Sequence, residues 1–215
     1  MKMSEQFKEI IKVANNINPT FGEIVQSGME YAPYLGKLYQ TIKVNRLIRR
    51  FNEHSEKLEN IGQLSIDSRL SAEFINERIF PIVFSDLFEE HEDAKINYIL
   101  TGFENVFIEE NKHESLVISF FDTLRSLRYA DIKRLFYFSN IIKEPLFSFL
   151  ESDDHVLQRN NDHKLESLGL VSITKMWSEQ EKDTNKEDVR INLYGDRFLR
   201  FILEKDILEE YLSNK

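Results

Sequence analysis

The 215-residue chain carries 28 Lys and Arg against 37 Asp and Glu, a formal charge of −9, so any nucleic-acid role has to rest on a local basic patch. It has no cysteine, which excludes disulfides, thiolate zinc sites and a thiol nucleophile. With 17 Phe and 8 Tyr but only 7 Gly and 4 Pro, it has apolar material for a real core and too little turn chemistry for a many-stranded sandwich or barrel, so the expected class is mainly α.

Taken in chain order, Phe7, Ile10, Ile11 and Val13 recur at near-helical spacing and predict a short first helix, broken by Asn15 to Pro19. A second amphipathic segment runs from Thr20 to Tyr31, with a hinge expected near Ala32 to Tyr34. The stripe Leu35, Leu38, Ile42, Val44, Leu47, Ile48, Phe51 and Leu58 predicts one long helix to about Glu59, ended by Gly62. Ser65 or Asp67 is the expected cap of the next helix, which reaches Phe88 with a kink at Pro81 and closes in the acidic run Glu89 to Asp93. Core helices follow over Ala94 to Ile108, Leu116 to Leu127 and Asp131 to Leu150, the last bent or split at Pro145.

Beyond residue 150 the texture changes. Ser152 to Asp154 caps a polar helix to Leu168, and Gly169 ends it. Two β-prone runs, 170–174 and 189–193, flank a polar stretch and predict a two-stranded hairpin, after which one amphipathic helix from Gly195 closes the chain. The expected organisation is a multi-helix bundle over 1–150 and an α+β module over 151–215.

The order of helix, Leu165-Glu166-Ser167-Leu168-Gly169-Leu170-Val171, hairpin, then Asn192-Leu193-Tyr194-Gly195-Asp196 resembles the latter half of a winged helix, with Tyr194 where threonine is commoner. That resemblance implies a winged-helix-like cap. The helical layout, with Tyr34-Leu35-Gly36 leading into a basic helix, also resembles uncharacterised bacterial and phage-associated helical families of the abortive-infection type, which implies a setting and no mechanism.

Lys37, Lys43, Arg46, Arg49 and Arg50 form the sharpest charge feature, with Lys43, Arg46 and Arg50 spaced i, i+3, i+7 along one helical face. Such a patch suits phosphates of nucleic acid or an anionic membrane; equally, it suits a solvated face pairing with acid-rich neighbours. In the cap, Arg159, Asn160 and Lys164 are the candidate contacts for a DNA groove. Residues 151–215 nevertheless hold 15 acidic against 10 basic side chains, which favours protein contact over DNA. Trp177 is a candidate anchor in a partner interface. Glu109 or Glu110 with His113 has ligand spacing on one helix face, but polar helix ends account for it, so no metal or cofactor is expected. Neither a glycine-rich phosphate loop nor a nucleophile, base and acid motif is present.

No run is long and apolar enough for a membrane span, and the start, Met1 to Gln6, lacks a signal peptide's apolar core, so a cytoplasmic location is expected. The functional expectation is a non-enzymatic protein-interaction protein, phage- or defence-associated, with a protein partner that includes a second copy of the chain. The alternative is a winged-helix DNA-binding transcriptional regulator.

Overall fold

The computed structural model describes residues 5–29, 41–144, 152–174 and 184–213. Lys37, Trp177, the expected hinge at Ala32 to Tyr34 and Pro145 lie outside them. The chain divides into two compact units, Met1–Arg125 and Ser126–Lys215, so the expected helix after Asp131 belongs with the second unit. Among the described residues the protein is mainly helical, with one two-stranded antiparallel sheet. None of those helices is long and apolar enough to cross a membrane.

In the first unit α1 (Glu5–Ile17) and α2 (Pro19–Met29) are separated by Asn18 alone. Its Oδ1 accepts from the backbone N–H groups of Thr20 and Phe21, at 2.9 and 3.1 Å, and Pro19 occupies the first helical position, where a missing N–H is harmless. The long helix expected to Glu59 is instead α3 (Thr41–Glu53) and α4 (Ser55–Asp67), distorted at His54. The backbone ladder still passes through His54, which donates to Arg50 O and accepts from Leu58 N. Gly62 therefore lies inside α4 and does not end it; a Cβ there would overlap the Asn18 amide, so the residue is required by close packing.

Neither Ser65 nor Asp67 caps the next helix, because both belong to α4; Ser71 Oγ accepts from Phe74 N instead, at 3.2 Å. The kink expected at Pro81 is taken up one turn earlier. Pro81 has no N–H for the carbonyl four residues back, and the chain widens into a π-helical turn, Phe74–Ile79, closed by Phe80 N–H on Ile75 O before α5 (Phe80–Glu89). A 3₁₀ turn (Asp93–Lys95) leads into α6 (Ile96–Ile108), and α7 (Glu114–Ser126) follows. The core is a chain of rings in mostly edge-on or tilted contact: Phe51, Phe21, Phe80, Phe103 and Phe107, with successive centroids 5.2 to 6.4 Å apart.

The second unit begins with α8 (Tyr129–Phe138), whose Asp131 Oδ2 reaches back to Arg128 N at 2.7 Å. It stops far short of Leu150. Asn140 takes a left-handed φ of 64°, Ile141 N bonds Phe136 O, and Asn140 N bonds Tyr137 O, which is the Schellman pattern. α9 (Ser152–Ser167) ends the same way on Gly169 at φ 70°, as expected from sequence. β1 (Val171–Ile173) and β2 (Val189–Ile191) pair as the expected hairpin, with Val171 opposite Ile191 and Ser172 opposite Arg190. The single closing helix is in fact two, α10 (Leu193–Ile202) and α11 (Lys205–Ser213), because buried Leu203 is extended.

Candidate functional site

Two charged assemblies, one in each unit, absorb most of the described residues that sequence marked as candidates. In the first unit α3 turns Val44, Leu47 and Phe51 into the core, and the same winding brings its cations to the acidic turn after α5. Lys43 Nζ lies 2.5 Å from Glu89 Oε2 and over the Phe88 ring. Arg50 is only 1% exposed. Its guanidinium donates to Leu87 O at 2.5 Å and Glu90 O at 2.7 Å, satisfying carbonyls that the end of α5 leaves open, and to Asp93 Oδ1. Arg49 bridges Glu53 and the other Asp93 oxygen from the exposed side. Arg46 is half-buried.

The electrostatics follow from these contacts. Hydrogen bonds from Arg49, then Arg50, hold the Asp93 carboxyl down at about 2. Burial opposes ionisation of Glu90, yet the Glu92 N–H and the Lys95 ammonium hold it below the ordinary carboxylate range. Lys95 is itself buried, 2.5 Å from Glu90 Oε2. Lys43, Arg49 and Arg50 thus have their charged groups committed to acids and carbonyls of the same unit. Such an arrangement fastens α3 to the end of α5.

In the second unit Arg134 and Asp162 form a bidentate pair, Nε to Oδ1 at 2.7 Å and Nη2 to Oδ2 at 3.0 Å, with both residues buried. Arg134 also donates to Thr184 O at 3.3 Å and stacks on Phe138, 4.2 Å from the ring centroid. With its amide oriented to satisfy the network, Gln158 accepts from both Nη atoms. Lys164 Nζ meets Asp131 Oδ2 at 2.7 Å.

These contacts assign the faces of α9. Gln158, Asp162 and Leu165 point inward at i, i+4, i+7, while Val156, Asn160 and His163 share the outer face at the same spacing. Of the sequence candidates, Asn160 is exposed, Lys164 is tied to Asp131, and Arg159 is half-buried with no partner for its Nε among the described residues. Val156 and Leu157 remain 55% and 49% exposed. Sequence reading missed Arg134, whose signal is an arginine that follows Lys133 inside the apolar stripe Ile132, Leu135, Phe136 and Phe138.

Glu109 and His113 are exposed, and among the described residues no group of three or more acids and histidines is arranged to hold a metal ion. No family model, curated protein or solved structure matches the chain.

Proposed function

We propose that this chain is a non-enzymatic protein-interaction protein, and that the outer face of α9 is its contact surface, with a second copy of the chain as the partner. The observation that carries this reading is the division of α9: Asp162 and Lys164 are spent on Arg134 and Asp131, while Val156 and Leu157 stand in water beside neutral Asn160. Exposed aliphatic groups beside neutral polar ones suit protein contact, whereas a phosphate backbone needs free cations. The sequence of α8, α9 and an antiparallel hairpin supports a winged-helix-like module used in this way, and shape alone leaves the function open.

The test is the solution mass of the protein across a concentration series. The intact chain associates, and V156D/L157D shifts it to monomer with an unchanged circular dichroism spectrum. A chain that is monomeric throughout, or association untouched by the substitutions, overturns the proposal. The same element order favours a second reading, a DNA-binding regulator, which predicts duplex binding that falls steeply with salt and weakens when Arg159 of α9 is neutralised.

A further inference from the structure

The turn after α8, strand β2 and helix α11 border a half-open cavity of about 350 Å³ within the second unit. That volume falls at the lower end of the roughly 300 to 1,000 Å³ occupied by small-molecule sites. Its apolar lining comes from Phe138, Ile141, Ile191 and Ile207. Ile207 is 40% exposed, so an apolar occupant would remove from water a surface that the fold leaves wet.

Several charged side chains of this unit are spent inside the fold. Arg134, Asp162, Lys164, Asp131, Asp196 and Arg200 are all ion-paired. The cavity instead presents one cation, Arg190, and one anion, Glu210, both exposed, and neither forms an ion pair among the described residues. Two neighbouring hydroxyls are already committed: Tyr211 donates to Asp196 Oδ1 at 2.9 Å and Ser139 to Phe136 O at 3.1 Å. The groups that remain to recognise a ligand are therefore the Asn140 amide and one charge of each sign, beside an aliphatic and aromatic lining.

From this combination we infer that the cavity binds a small zwitterion with an apolar body, of the size and chemistry of a branched or aromatic α-amino acid. Its carboxylate pairs with Arg190, its ammonium with Glu210, and its side chain rests on Ile191 and Ile207. A fatty carboxylate would satisfy Arg190 but place its charge near Glu210, and a simple amine would do the reverse. The inference rests on residues separate from the outer face of α9.

The experiment titrates the full chain with L-leucine and L-phenylalanine, then with their carboxamides and N-acetyl derivatives, following the isoleucine methyl resonances. The free amino acids shift the Ile191 and Ile207 signals saturably, and removing either charge weakens binding by about tenfold or more. Arg190→Gln abolishes the preference for acid over amide, and Glu210→Gln abolishes the preference for free amine over N-acetyl amine. Both positions are exposed, so the variants keep the parent fold, checked by their unperturbed core resonances. Absence of saturable shifts at millimolar ligand, or variants that retain both preferences, would overturn the assignment.

Discussion

Arg134 and Asp162 face each other as a bidentate pair at 2.7 and 3.0 Å, 28 residues apart in sequence and both nearly excluded from water. Breaking such a pair from one side strands a charge, whereas replacing both partners removes the desolvation cost as well. Asp162→Ala therefore lowers stability by about 3 to 5 kcal/mol, while R134M/D162L recovers most of the loss. Urea denaturation of the three proteins checks this, and equal losses in the single and double variants would refute it.

Arg49 and Arg50 share Asp93 but sit in different surroundings, so their truncations separate. Arg50→Ala uncaps the carbonyls of Leu87 and Glu90 inside the first unit and costs about 2 to 4 kcal/mol. Arg49 is half-exposed, its pairs are screened by solvent, and Arg49→Ala costs far less than Arg50→Ala. Chemical denaturation midpoints at constant slope give the comparison.

Gly62→Ala reverses the usual helix preference. Alanine gains about 1 kcal/mol over glycine in a free helix. At this position the new methyl displaces the Asn18 amide that caps α2, so the variant is destabilised by about 1 to 3 kcal/mol. Thermal unfolding of the variant beside Asn18→Ala tests the link, since the two losses should not add.

Stability has an unusual dependence on acid because Asp86 and Asp93 respond in opposite senses. Burial pushes the Asp86 carboxyl up to about 6 despite its bidentate contact with Arg125 and the nearby Lys95, with Glu90 adding to the rise. A raised folded value means that the native state holds the proton more tightly than the unfolded chain does. The contribution of Asp86 is thus fully present below about pH 4 and is lost as pH rises through about 6, by up to about 3 kcal/mol. Asp93, held at about 2, contributes stability present above about pH 4 and lost as pH falls through about 2. Asp86→Asn should flatten the profile between pH 4 and 6 and leave the limb below pH 4 intact, as read by denaturation at each pH.

Local chemistry made much of this fold legible. Apolar residues recurring every three or four positions identify helices without reference to partners, and Gly169 at a helix end announces its left-handed turn. The β-branched runs around Val171 and Ile191 likewise declare a hairpin. Breaks made without glycine or proline were not legible: His54, Asn140 and Leu203 interrupt stripes that continue on paper, because the apolar spacing is the same on either side.

The candidate site divides along the same line. Sequence by itself determined that cations cluster on α3, that acids close α5, and that the second unit carries excess negative charge, since these are properties of composition and spacing. Tertiary structure alone decided that Arg50 lies across the carbonyls ending α5, that Lys164 is held by Asp131, and that Arg190 and Glu210 border one cavity. Whether a charge is spent inside the fold or left for a ligand depends on contacts between residues distant in the chain, and no local pattern encodes which acid a given cation will meet.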